Sequence, residues 1–291
     1  MYGGIFDTVG KTPLVCLEGK ENLDIYVKNE GKNPTGSIKD RAATYVIKKM
    51  LDTKKIDENT EIIESSSGNF GIALSAFCKH VGLNCTIVID PNILPINEFI
   101  LSQWATTLTK VTERDSTGGF LLTRTGYIKE KLQKSDNIFW VNQYRNKDVA
   151  EAYYATVGEE ICDEIKVDYI FVGVSSGGTI TGISNKVKER YPNAKVIAVD
   201  VEGSVVFGNE PKKRYIPGVG SSMRPDVLQY AKIDDVVIVK ESDSIKKCWE
   251  FMKKHKMLIG GSSGSVYCAI EKYFQDKNIT EKQNVVALFA D

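Results

Sequence analysis

Two stretches of this chain follow one local design, and it limits the folds available to the whole. In the first, apolar Ile62 and Ile63 lead into Glu64-Ser65-Ser66-Ser67-Gly68-Asn69-Phe70-Gly71, and helix-type composition follows over residues 72–79. In the second, the apolar run 169–172 leads into Gly173-Val174-Ser175-Ser176-Gly177-Gly178-Thr179-Ile180-Thr181-Gly182 and again into a helix. A strand, a loop of hydroxyl residues and glycines, and a helix N-terminus recur in that order. Helix starts of this kind carry unpaired N–H groups and a favourable dipole, so each suits an anion such as a carboxylate or a phosphate. A loop serine that merely caps its helix is the plainer alternative for each hydroxyl taken singly.

A third stretch supplies a nucleophile. Asn-Pro-Thr-Gly-Ser-Ile-Lys-Asp-Arg at residues 33–41 reads as a turn running into a helix, with Ser37 as a capping residue and helical composition over 42–51. Lys39 sits at the mouth of that helix. An amine held there can form a Schiff base with an aldehyde cofactor once burial disfavours its charge. On its own it would read as a solvated lysine. The two loops change that balance.

The remaining chain alternates strand-like and helix-like segments. Strands are expected at 13–17, 25–28, 85–90, 108–111, 138–144, 169–174, 195–200, 235–239 and 284–289, with helices near 95–106, 120–132 and 152–166. The apolar run Cys85-Thr86-Ile87-Val88-Ile89, bounded by Gly82 and Pro91, is that of a parallel strand buried on both faces. The loop Ser116-Thr117-Gly118-Gly119 opens the helix at 120. The pattern implies an α/β fold of mostly parallel twisted sheets flanked by helices. Residues 202–226 form a long irregular segment rich in Gly, Pro, Lys and Arg, and loops of that length commonly serve function.

Composition excludes several function classes. Lys plus Arg and Asp plus Glu both number 38, which argues against a nucleic-acid or membrane surface. With 291 residues, 42% hydrophobic and 26% charged, the chain is that of a globular protein large enough for two packed lobes. Six cysteines lie scattered without CxxC spacing, and His80 and His255 are the only histidines, so neither a disulfide framework nor a metal site is expected. Free thiols and the lack of a leader or long apolar span point to the cytoplasm. Gly10-Lys11-Thr12 is not a phosphate-binding P-loop, because position 5, where that motif needs glycine, is Ile5.

Taken together, the three motifs resemble the fold-type II pyridoxal-phosphate enzymes, in particular the cysteine synthase family, from Val9-Gly10-Lys11-Thr12-Pro13-Leu14 to the final strand. The resemblance implies the two-lobed, tryptophan synthase β-like architecture. Residues 1–34 and 145–291 would form the large cofactor-holding domain and 35–144 the smaller, mobile substrate-binding domain. It implies pyridoxal 5'-phosphate as cofactor, with Lys39 as the Schiff-base lysine that also moves the Cα proton. Asn69 matches the asparagine on the ring's phenolate oxygen. Ser66, Ser67, Gly68 and Gln143 match the grip on the substrate carboxylate, and Ser176, Gly177, Gly178 and Thr179 match the phosphate cradle. Ser262, within Gly260-Gly261-Ser262-Ser263-Gly264, matches the serine facing the pyridine nitrogen. A neutral hydroxyl there implies a weaker electron sink than an aspartate would give, which favours loss of a β-substituent, through an aminoacrylate, followed by addition of a nucleophile. A homodimer acting on small amino-acid substrates is implied too, as are further residues after Asp291 that finish the large lobe.

Two positions depart from cysteine synthase itself: Ser175 replaces a glycine and Tyr144 replaces a phenylalanine, and both add hydrogen-bonding groups near the substrate. With Gly203-Ser204-Val205-Val206-Phe207-Gly208, they look like the branch that makes N-(2-amino-2-carboxyethyl)-L-glutamate from O-phospho-L-serine and L-glutamate, a step toward 2,3-diaminopropionate in siderophores such as staphyloferrin B. Arg224 and Lys212-Lys213-Arg214 in the long loop are candidate receivers of the extra carboxylate, although a solvated loop is the favoured reading of the Lys212 run. A cysteine synthase or another sulfur-handling β-replacement enzyme shares every cofactor residue and remains the alternative.

Overall fold

A computed structural model describes residues 3–20, 22–116 and 118–291. The chain begins with an antiparallel pair, β1 (Leu14–Lys20) and β2 (Leu23–Asn29), both longer than the sequence suggested because pairing continues to Lys20 opposite Leu23. There follow α1 (Lys39–Asp52), β3 (Glu61–Ser65), α2 (Asn69–Val81), β4 (Cys85–Ile89), α3 (Pro95–Trp104), β5 (Thr107–Lys110), α4 (Leu121–Lys134) and β6 (Ile138–Trp140). The second half holds α5 (Lys147–Tyr153), α6 (Glu159–Glu164), β7 (Tyr169–Gly173), α7 (Gly178–Arg190), β8 (Lys195–Val201), β9 (Asp235–Val239), α8 (Glu241–His255), α9 (Gly261–Phe274) and β10 (Gln283–Phe289). Within the loop at 116–119, Thr117 lies outside the described residues.

These strands form two sheets, one ordered β1-β2-β10-β7-β8-β9 and the other β5-β4-β3-β6. Apart from the β1–β2 hairpin, the pairings are parallel. Every residue of β4 is buried, as its unbroken apolar run requires when helices cover both faces of a parallel strand. Pro95 opens α3 in the first helical turn, where its missing N–H removes no helical bond. No helix of the described residues is long and apolar enough to cross a membrane.

Three sequence expectations need adjustment. The helix expected at 152–166 starts earlier, at Lys147, where the Asn146 side chain accepts the Asp148 N–H at 2.9 Å. It then passes through a π turn at Tyr154–Gly158 before α6, an insertion that helical composition does not reveal. The strand expected at 138–144 stops at Trp140, and Val141 to Tyr144 instead turn back under the β3 loop. Ser37 is not the cap of α1. Ile38 occupies that position, and Ser37 Oγ accepts the Lys39 N–H from one residue further back, at 3.3 Å.

The start of α1 is fixed by buried charge. Arg41 donates to Glu30 at 2.6 and 2.8 Å and to Glu160 at 2.6 and 2.7 Å. Lys28 joins the cluster through Glu160 at 3.1 Å and Glu164 at 2.7 Å. Burial works against the Arg41 charge, but its bonds to Glu160 and Glu30 outweigh it and hold the guanidinium protonated. The network ties β2, α1 and α6 to one another two residues beyond Lys39, so the lysine projects from a rigid base.

Candidate active site

Helix N-termini and the carboxyl ends of β7 and β10 meet at one cavity, as ligand sites do in open α/β sheets. It is lined by Lys39, by Ser175, Ser176, Gly177 and Thr179 of the β7–α7 loop, by Gly218 of the long segment, and by Ser262 at the start of α9. The Ile38 N–H bonds the Ala290 carbonyl at 2.9 Å, which sets the mouth of α1 against the end of β10. Three elements far apart in sequence thus deliver the amine, the cradle and the Ser262 hydroxyl to a single place.

Gly177 caps α7 at φ +83°, a backbone region that L side chains rarely adopt, and no side chain satisfies the helix start. The first-turn N–H groups therefore point into the loop without an intrahelical partner. Thr179 is bonded by the buried Tyr153 phenol, whose pKa burial raises. The Tyr153 ring also lies 6.0 Å from Lys39 Nζ. Burial pulls the Lys39 amine below the ordinary lysine range, with Asp291 partly opposing that shift. Such an amine is more readily neutral, the state in which it is a nucleophile and a base.

The second loop stands at the start of α2. Ser66 Oγ accepts the Gly71 N–H at 3.0 Å, so this hydroxyl does serve as a brace for the helix start. Ser67 Oγ accepts from Arg124 Nη1 at 2.9 Å, and Arg124 also faces Asp90 at 3.3 Å. Gln143 is packed beneath the loop: its N–H meets Glu64 Oε2 at 3.2 Å and its Nε2 meets the Ser65 carbonyl at 3.4 Å. Glu64 accepts the Ser65 N–H at 2.7 Å as well, yet burial outweighs these bonds and raises its pKa to about 7. Asn69, at the first position of α2, is joined to the cavity through Asp291, which accepts from Asn69 Nδ2 at 3.0 Å and from Ser262 Oγ at 2.7 Å.

Around Tyr144 the structure brings Arg124, which sequence reading missed, together with Arg214, which it named as a candidate carboxylate receiver. Burial raises the pKa of its phenol against the opposing charge of Arg124, so it remains a protonated donor. Arg214 also acts on that phenol; it is half-buried, bonds Ser222 Oγ at 2.9 Å, and has its own pKa lowered by burial. Arg224, by contrast, is exposed and does not line the cavity. Ser175 Oγ donates to the Gly220 carbonyl at 3.0 Å, which commits its single proton to the backbone. Arg124 lay in a stretch readable only as helix, and Tyr153 looked like one more apolar helix position. Neither carried a local signal. Among the described residues, no cluster of His, Cys, Asp or Glu is placed to hold a metal ion.

A family model described as pyridoxal-phosphate dependent enzyme matches residues 5–291. The chain belongs to that family. Its members depend on pyridoxal phosphate, and the site fits the cofactor: an amine of lowered pKa, an uncapped glycine-rich helix start and a buried serine line one cavity. Among solved structures the chain is similar to an O-acetylserine dependent cystathionine beta-synthase from Helicobacter pylori, at 29% identity and a TM-score of 0.88, covering 99% of this chain and 94% of that one. It is also similar to a hydrogen sulfide-producing enzyme from Fusobacterium nucleatum, at 28% identity and a TM-score of 0.90, with 99% and 95% covered. An O-ureido-L-serine synthase at 23% identity shares the fold, with a TM-score of 0.89 over 100% of this chain and 92% of that one.

Proposed function

We propose that this enzyme carries out β-replacement on an O-activated L-serine, with O-phospho-L-serine as donor and L-glutamate as acceptor, giving N-(2-amino-2-carboxyethyl)-L-glutamate and phosphate. When bound, pyridoxal phosphate supplies the electron sink that makes the substrate Cα–H acidic and lets a β-substituent depart. Lys39 Nζ, the one amine lining the cavity among the described residues, anchors the cofactor and takes the proton from Cα. The α7 start with Ser176, Gly177, Gly178 and Thr179 holds the cofactor phosphate, while Asn69 and Ser262 orient the ring. Ser66, Ser67 and Gly68, braced from below by Gln143 and Glu64, receive the substrate carboxylate. In this reading residues 1–34 and 145–291 are the large domain that supplies the phosphate cradle and Ser262, while 35–144 supply Lys39, Asn69 and the carboxylate grip.

The choice of a phosphate leaving group rests on Arg124. Its Nη1 already bonds the substrate loop, and its Nε is buried without a partner among the described residues. A buried donor in that condition is satisfied by an arriving oxyanion. Tyr144, protonated and near two guanidinium groups, adds a second donor to the same region.

Two of the similar solved structures favour a second reading. One is an O-acetylserine dependent cystathionine beta-synthase and the other a hydrogen sulfide-producing enzyme, both sulfur-handling proteins. Product identification separates the two: the holoenzyme is offered O-phosphoserine or O-acetylserine, each with glutamate, sulfide or homocysteine, and the adducts are identified by mass. The amino-carboxyethyl glutamate adduct is the expected product. Cysteine or cystathionine, with no glutamate adduct, establishes the sulfur reading instead.

A further inference from the structure

Glu64 is a carboxyl group closed off from solvent, placed two residues before the hydroxyl loop that the proposed function assigns to the substrate carboxylate. It touches both arms of that grip. On the loop side it accepts the Ser65 N–H at 2.7 Å. On the side of the 141–144 turn Oε2 accepts the Gln143 N–H at 3.2 Å, and the Asn142 N–H is also directed at the carboxyl. Trp140 Nε1 reaches Oε1 at 3.4 Å from the end of β6, and Gln143 closes the frame by donating from Nε2 to the Ser65 carbonyl at 3.4 Å. The turn is tight enough to put Asn142 at φ +54°.

These partners are all neutral. Burial favours the uncharged acid and the four N–H groups favour the carboxylate, and the two effects balance at about pH 7. The Cys85 thiol on β4, through its bond with Cys78 and its burial, and the Tyr144 phenol, through burial, both keep their protons and bring no charge. Of the charged neighbours, Glu61 at the start of β3 is bonded by Thr86 Oγ1 at 2.5 Å, and Arg124 of α4 is matched by Asp90 at 3.3 Å. A carboxyl poised in this way answers to the next charge placed beside it. In turnover that charge is the carboxylate of the substrate. A like charge nearby favours the neutral form of an acid.

We infer that substrate recognition in this enzyme is proton-coupled: seating the α-carboxylate on residues 66–68 draws a proton from solvent onto Glu64. This deepens the proposed function and rests on it, because it takes that loop to be the carboxylate site. As much as one proton is taken up per substrate bound, and the neutral acid then carries no charge to oppose the bound carboxylate. Glu64 holds its proton more tightly in the complex than in the free enzyme. Its contribution to substrate affinity is therefore fully present below about pH 7 and is lost as pH rises through the higher value of the complex. Glu64 is thus a positioning residue that acts through the loop.

The test is spectroscopic titration of holoenzyme with L-alanine, which has the carboxylate and amine of a substrate but no β-leaving group, in wild type and Glu64→Gln from about pH 6 to 9. Protons on the ligand amine and on Lys39 enter both enzymes alike and cancel in the ratio of dissociation constants. That ratio, wild type over variant, is expected to be flat below about pH 7 and to climb above it by up to about tenfold per pH unit. A ratio that stays constant overturns the inference. Infrared difference spectra serve if the variant fails to fold: L-alanine added to wild-type holoenzyme at about pH 7.5 is expected to produce a protonated-carboxyl band that moves when the glutamates are labelled with ¹³C. Absence of that band, or a band that the label leaves in place, overturns the inference too. A chromophore that forms but does not shift with L-alanine removes the grip at 66–68 and this inference together, whereas absence of the chromophore overturns the proposed function itself.

Discussion

Arg124 Nη1 donates to Ser67 Oγ at 2.9 Å, joining a helix of the second sheet's outer layer to the loop that precedes α2. The contact spans 57 positions of sequence and places a guanidinium beside the expected substrate grip. Loss of one charge-assisted hydrogen bond of this kind costs about 1.5–3 kcal/mol, which is roughly 10- to 150-fold in kcat/KM. Arg124→Ala is therefore expected to lower kcat/KM for O-phosphoserine by that factor and for O-acetylserine by much less. Steady-state kinetics with both donors checks it, and equal losses would remove Arg124 from leaving-group recognition.

Tyr144 and Ser175 separate in the same assay. The Tyr144 phenol keeps its proton to give, whereas the Ser175 proton is committed to the Gly220 carbonyl. Tyr144→Phe should thus weigh more heavily on O-phosphoserine than on O-acetylserine. Ser175→Gly should slow both donors alike, through a loosened 218–220 segment. A Ser175→Gly variant impaired with the phosphorylated donor alone would show that the hydroxyl leaves Gly220 to meet substrate.

Much of this site was legible in the sequence, for a local reason. Glycines and hydroxyls between a strand and a helix encode their own backbone path, so Ser176 to Thr179, Asn69 and Ser262 were found where the structure places them at helix starts. Lys39 was legible as the amine at the mouth of α1. Arg124, Tyr153 and Asp291 were not legible as site residues, because each acquires its role from tertiary placement: Arg124 by the packing of α4 near the Ser67 loop, Tyr153 by the approach of α5 to Thr179, Asp291 by the pinning of its carbonyl at the start of α9. The π turn at Tyr154–Gly158 escaped for the same reason.

Glu64 makes stability depend on pH. Burial raises its carboxyl from an ordinary 4.5 to about 7, against the opposing bonds from the Ser65 and Gln143 N–H groups. An acid whose folded pKa is raised contributes stability that is fully present below the unfolded value and is lost as pH rises through the folded one. Between pH 4.5 and 8 this group should withdraw about 3 kcal/mol. In Glu64→Gln the difference in unfolding free energy between pH 5 and pH 8 should shrink by that order, measured by urea denaturation at both values. An unchanged difference would contradict the burial argument.

The charge cluster at the base of α1 predicts a stability effect rather than a specificity effect. Arg41 is 1% exposed and Glu30 is fully buried, so deleting the arginine strands a carboxylate inside the protein. Arg41→Ala should cost about 3–5 kcal/mol of unfolding free energy. Arg41→Ala together with Glu30→Gln should recover part of the loss, since the stranded charge is then gone. A double variant no more stable than the single one would show that the cost lies elsewhere.

The central claim is that Lys39 holds pyridoxal phosphate, and one measurement addresses it directly. The purified protein, loaded with the cofactor, is reduced with borohydride and digested, and the peptide carrying the pyridoxyl mass is sequenced. The label is expected on Lys39, with Lys39→Ala giving no labelled peptide and no turnover. Label on another lysine, or a Lys39→Ala enzyme of near wild-type activity, would contradict the account.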